Sequence, residues 1–166
     1  MDMAARLDRL EAESAIRRLK GRYAYWADAK YTADHERKPD ADMNEAARQQ
    51  SLCFTEDAVW DGGDAFGVTR GREAIYDSFR TGPWTFAMHY FTTPWIDVDG
   101  TSAKARWMLF ETATRRDGTA LWMGAHTDDE YRNVKGEWLI SKVTVHVRFL
   151  VPFSGPDWAQ LKNRPW

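Results

Sequence analysis

Three short turns dictate most of what this chain can become. Asp99-Gly100, Asp117-Gly118 and Lys135-Gly136 separate four long runs rich in aromatic and β-branched residues, at 86–98, 103–115, 121–134 and 137–151. Asp-Gly pairs between such runs are strong hairpin signals, because a tight turn needs residues that accept positive φ. The runs therefore predict a meander of long antiparallel strands. The chain before them reads differently. Leu7 and Leu10, then Ile16, Leu19, Tyr23, Trp26 and Ala27, recur at helical steps and predict a long helix over 3–30. Residues 33–50 are polar with Pro39 in the middle, and read as a loop or as a short helix from Asp42 to Gln50. A short apolar segment at 54–60 ends in Asp61-Gly62-Gly63, and Gly71 precedes a short helix over 72–79. Helices first and hairpins after them predict an α+β domain. A strongly curved antiparallel sheet closed by the first helix would form a half-open cone with an interior pocket.

The 166 residues and 19.2 kDa fit a single domain over 1–166 with one core. Lys plus Arg is 23 against 25 Asp plus Glu, a net charge of −2 with no basic block, which argues against nucleic acid as a partner. A single cysteine, Cys53, leaves no internal disulfide and no cysteine-based zinc site. No run has the length of a membrane span and no signal-type apolar core begins the chain, so the expectation is a soluble cytoplasmic protein with no membrane partner. Aromatic residues make up 14%, nine of them Trp, which points to a dense core or a cavity lined with rings. The strands also carry bulk on both faces. Phe86, Met88 and Tyr90 alternate with His89, Phe91 and Trp95, and Met108 and Phe110 alternate with Trp107 and Leu109. A sheet wet on one side should alternate apolar and polar residues. A second apolar face asks for a cover, and with Trp95, Trp107, Phe110 and Trp122 in these strands the expected cover is another copy of the chain.

Few side chains in such a pattern can carry chemistry. His35 sits in the polar segment, whereas His89, His126 and His146 lie inside strands, where a ring needs partners for both nitrogens. Each reads either as a satisfied structural histidine or as a general acid or base. Glu111 shares a strand face with Trp107 and Leu109, so its carboxyl reads either as pointing inward or as an edge or outward charge, the usual place for Glu. Asp28 falls off the apolar stripe of the first helix, and periodicity alone makes it a solvated helix-end charge. Thr144, His146 and Arg148 alternate with Val143, Val145 and Val147. They read as a polar outer face, or as cavity residues with Arg148 binding an oxyanion. No phosphate loop, nucleophile elbow or metal-ligand spacing is present, and neither a metal nor a cofactor is expected.

Five segments together resemble a known family: AIRRLKGRYAYWADAKY (15–31), CFTEDAVWDGG (53–63), GREAIYDSF (71–79), MHYFTTPWIDVDGTSAKA (88–105) and HTDDEYRNVKGEWLISKV (126–143). In order and spacing they are similar to the SnoaL-like branch of the nuclear-transport-factor-two-like superfamily. The resemblance implies a cone-shaped α+β barrel with the helices closing a deep apolar pocket. It also implies a cofactor-independent lyase, dehydratase-like, acting on a hydrophobic cyclic small molecule. Isomerases of the ketosteroid type, polyketide cyclases and non-catalytic binding or assembly modules share the fold. In the dehydratase and dehydrochlorinase relatives an aspartate late in the first helix orients a histidine base on the first long strand. The matching positions are Asp28 and His89, with Tyr23 and Arg148 as further catalytic positions. Trp26, Trp60, Phe91, Trp107, Glu111, His126 and His146 are the expected substrate contacts. The resemblance implies a homo-oligomer, a trimer rather than a dimer, and leaves the 33–50 segment as a lid or subunit contact.

Overall fold

The computed structural model describes residues 2–153. Helix α1 (Met3–Asp28) starts where the Asp2 side chain accepts a hydrogen bond from the Ala5 N–H at 2.8 Å, an N-cap. Its buried face is Ala12, Ile16, Leu19, Lys20, Tyr23 and Ala27. Leu7 and Leu10, expected in that stripe, are exposed at 54% and 62%. At 100° per residue they fall more than about 100° from the stripe's centre.

The polar 33–50 segment resolves as helix α2 (Asp40–Ser51), begun by Pro39 and anchored by buried Met43, Ala46, Ala47 and Gln50. It packs on α1 and on α4, and so forms one wall of the molecule. Strand β1 (Phe54–Asp61) follows. Two elements too short to leave a sequence signal come next, helix α3 (Gly63–Phe66) and strand β2 (Val68–Arg70). Helix α4 (Arg72–Thr81) leads into the four long strands β3 (Trp84–Asp99), β4 (Ser102–Arg115), β5 (Ala120–Val134) and β6 (Glu137–Pro152). No helix among the described residues is long and apolar enough to cross a membrane.

The sheet order is β2-β1-β6-β5-β4-β3. All neighbours are antiparallel except β1 and β6, which pair in parallel across the fold. The sheet curves but does not close, so the cone ends at two edges, β2 and β3. At the β5–β6 hairpin Lys135 and Gly136 take φ of 54° and 92°, the pair of positive values a type I′ turn requires.

Register decides what faces inward. In β4 the buried residues are Ala103, Ala105, Trp107, Leu109, Glu111 and Ala113, a strict alternation. In β3, His89 and Phe91 share the inner face, but Trp95 does not. The β3–β4 register shifts between Thr92 and Trp95, and Thr93 takes φ of 43°. This bulge turns Trp95 outward, 62% exposed, and brings Ile96 in. The inner faces of β3 to β6 and the stripe of α1 together enclose the main core.

Candidate functional site

The cone is not packed solid. A cavity of about 580 Å³ opens between α1, α2, α4 and the inner face of the sheet. Rings form much of its wall. Tyr23 stands edge-on to Phe79 at 6.2 Å and to Phe91 at 5.9 Å, and Trp60 stands edge-on to Phe79 at 6.0 Å. A wall of this kind suits an apolar ligand held by a few placed polar groups.

Those polar groups converge from three elements. The first strand residues of β3 run beside the last turn of α1, and there Asp28 turns to the sheet despite lying off the helix's buried stripe. Its Oδ1 lies 2.7 Å from His89 Nδ1. The same carboxylate accepts the His89 backbone N–H at 3.2 and 3.3 Å, so backbone and ring are held together. An acceptor on Nδ1 fixes the proton there and leaves the lone pair on Nε2. His89 Nε2 lies 3.5 Å from Glu111 Oε2, the directly opposite residue on β4. Glu111 Oε1 is buried and has no hydrogen-bond partner. His89, Glu111 and Tyr23 all line the cavity.

Burial and charge set the proton affinities. Burial pulls the His89 imidazole down, but Glu111, followed by Asp28, outweighs it and the net direction is up. Burial, joined by Asp28, raises the Glu111 carboxyl above its usual range. Burial also keeps the Tyr23 phenol protonated well past its ordinary range.

Two lysines complete the site, and sequence reasoning missed both. Lys30 is 7% exposed, and its Nζ donates to Gln50 Oε1 at 3.1 Å and to the Phe79 carbonyl at 3.4 Å. Both acceptors are neutral. Burial lowers its pKa to about 8, with Asp28 and Glu111 pulling the other way. Lys20 is 1% exposed and bonds Asp129 Oδ2 at 2.7 Å, with its Nζ over the Phe91 ring at 4.0 Å. Its position was readable. Lys20 follows Ile16 by four and precedes Tyr23 by three, which puts it on the apolar stripe.

The structure corrects several expected positions. Arg148 is exposed on the outer face of β6, so it does not line the cavity. His146, 43% exposed, and His126 lie on that same outer face, stacked on each other at 4.5 Å. Strand alternation turns His146 outward, since Val143 and Val145 take inner positions of β6, and His126 is its direct partner on β5; Arg148 is the unpaired residue of a bulge between Val147 and Phe149. Trp107 is buried on the inner face but belongs to the solid core, where its Nε1–H donates to the Tyr131 hydroxyl at 3.0 Å. Trp26 is half-buried, stands edge-on to Tyr25 at 5.0 Å, and is not a lining residue. Trp60 and Phe91 do line the cavity.

Comparison with known proteins agrees with this architecture. The SnoaL-like domain family matches residues 40–144. A type 2 hexachlorocyclohexane dehydrochlorinase, LinA, superposes with a TM-score of 0.75 at 18% identity, covering 90% of this chain and 93% of that one. A type 3 LinA from Novosphingobium barchaimii gives 0.74 at 19% identity over 90% and 94%. A candidate scytalone dehydratase from Novosphingobium aromaticivorans gives 0.70 at 18% identity over 89% and 91%. At these identities the likeness is one of fold. No curated protein matches the chain.

Proposed function

The chain belongs to the SnoaL-like family, and from that premise we propose that it is a lyase that needs no cofactor and eliminates a small leaving group from a hydrophobic cyclic molecule. The observation that carries the reading is the 2.7 Å contact between Asp28 and His89 at the wall of a ring-lined cavity. His89 Nε2 is the base. It takes a proton from the carbon adjacent to the one that bears the leaving group, the C–H electron pair becomes the new double bond between those two carbons, and the leaving group departs with its bonding pair. Asp28 holds the tautomer and stabilises the imidazolium. Tyr23, kept protonated by burial, donates a hydrogen bond to a substrate carbonyl or to the departing oxygen, and Glu111, 3.5 Å from Nε2, favours the imidazolium as it forms. Lys30 takes the charge-stabilising role that the sequence had given to Arg148. A hydroxide leaving group takes a proton from one of these donors and leaves as water. Rings supply the binding energy, and general-base catalysis contributes roughly 10²- to 10⁴-fold.

An isomerase or cyclase would use the same base. It differs in returning the proton to the substrate, and a chain that binds without turnover would need no base at all. Incubation with a panel of cyclic β-hydroxy and β-halo carbonyl compounds separates these readings. The lyase releases water or halide and forms the unsaturated product. The isomerase incorporates solvent deuterium without loss of mass, and the binder does neither.

The acid limb of the rate profile reports the base. Because His89 is raised, kcat/KM should climb with pH to a midpoint above about 6.5, the ordinary imidazole value. Glu111 is the largest raising influence, so Glu111→Gln should move that midpoint downward. A midpoint unmoved by the change would detach Glu111 from the base.

The reading extends to assembly. The outer face of the sheet exposes Tyr90, Trp95, Met108, Phe110, Trp122 and Phe149 at 39% to 62%. Such a patch marks an interaction surface, and a second and third copy of this chain would cover it. Light scattering at micromolar concentration should give a trimer mass, and a monomer would refute the assembly.

A further inference from the structure

We propose that the outer face of the sheet carries a binding site for a divalent transition-metal ion, with zinc as its first probe, formed by His126, Asp128 and His146. The site stands on the opposite face from the cavity and owes nothing to the lyase reading.

Strand geometry assembles it. His126 and Asp128 are two residues apart on β5 and so point to one face. His146 on β6 is the direct partner of His126, and Asp128 pairs with the neighbouring Thr144. The two backbone ladders thus fix three ligand-type side chains on one patch. One potential ligand atom from each lies within 4.8 Å of the others. His146 Nε2 already lies 3.1 Å from Asp128 Oδ2, and the two imidazoles stack at 4.5 Å with 15° between planes. Around a tetrahedral zinc with bonds of about 2.0–2.1 Å, ligand atoms lie about 3.3 Å apart. Rotation about side-chain torsions closes that difference without moving the ladder.

A second observation points the same way. His126 is only 7% exposed, so its ring is held by its neighbours, yet its nitrogens are not among the buried unpartnered atoms and stay open to solvent. An ordered imidazole whose nitrogens face solvent, beside a second imidazole and a carboxylate, has a lone pair available for a metal. Two imidazoles select zinc, nickel or copper over calcium or magnesium, and the fourth position is left for water.

The charges around the patch oppose the ion and set its strength. Arg106 on β4 forks onto Asp128, its Nε 2.7 Å from Oδ1 and its Nη2 3.0 Å from Oδ2, and Arg148 lies close enough to act on His126. The Arg106–Asp128 pair is half exposed, and exposed pairs are weak competitors. The metal therefore displaces part of this fork. Removing Arg106 should tighten binding, which no purely structural role for these residues would do.

The test uses the full chain without an affinity tag in chelator-free buffer. Zinc chloride is titrated against a chromophoric competitor, and cobalt chloride is added separately to read the geometry of the site from its visible spectrum. One equivalent should bind, with the intense cobalt bands of four-coordination. His146→Ala, at an exposed position, should weaken zinc at least about 10- to 100-fold, as should Asp128→Asn. Arg106→Gln should bind severalfold tighter, whereas His89→Ala and His35→Ala should keep the site. Absence of saturable uptake overturns the proposal. So does uptake that survives in both His146→Ala and His126→Ala, or uptake that disappears in His89→Ala.

Discussion

Replacing Asp129 with alanine should lower folding stability by about 3–5 kcal/mol, the range for stranding one partner of a buried ion pair. Lys20 and Asp129 meet at 2.7 Å with side chains 1% and 0% exposed. The pair is the centre of a chain of donors: Trp107 donates to the Tyr131 hydroxyl, which donates to Asp129 Oδ2 at 2.7 Å. Without the carboxylate, an ammonium group remains in the core beneath Phe91, and the Tyr131 hydroxyl loses its acceptor. Burial already pulls the Lys20 pKa below its usual range, with Asp129 opposing it. Lys20→Met should cost a comparable amount by leaving Asp129 charged. The double variant Lys20→Met/Asp129→Leu should recover much of the loss, because no unpaired charge remains. Urea unfolding of the four chains gives the coupling. Two single variants that each lose under about 1 kcal/mol, with no recovery in the double, would mean that the pair is far better hydrated than its burial indicates.

The second large effect is on turnover. His89→Ala should lower kcat/KM by about 10²- to 10⁴-fold on any substrate the panel identifies, the usual contribution of a general base. Asp28→Asn should lower it less, since the imidazole survives but loses the acceptor that fixes its tautomer. Apolar ligand affinity should persist in both, because Tyr23, Trp60, Phe79 and Phe91 line the cavity independently of the dyad. Loss of binding together with turnover would place His89 among the ligand contacts instead.

Much of this architecture is legible in the residues. The turns at Gly100, Gly118 and Gly136 set the hairpins, and the four long strands begin and end within two residues of the expected limits. The parallel pairing of β1 with β6 is not legible, since it joins segments more than 80 residues apart through β-ladder contacts that leave no local pattern. Nor is the bulge after Thr92, where a non-glycine residue takes positive φ and reverses the side of Trp95. The site divides in the same way. Helical periodicity sends Asp28 to solvent, and only the family resemblance directs it to His89, because the packing of β3 against the final turn is tertiary. Lysine is ordinarily solvated, which hid both Lys20 on α1 and Lys30 in the turn after it. The alternation in β6 offered Arg148 two faces, and a bulge between Val147 and Phe149, which leaves no local pattern, sets it outside the cavity.

In the proposed lyase, Asp28 holds the His89 proton on Nδ1 so that Nε2 is free as a base. Long-range ¹H–¹⁵N correlation NMR of the imidazole reads this without any substrate. At a pH above the imidazole's titration midpoint, the account predicts a protonated Nδ1 and an unprotonated Nε2 in the full chain, with that preference lost in Asp28→Asn. A wild-type spectrum with the proton on Nε2 would contradict it.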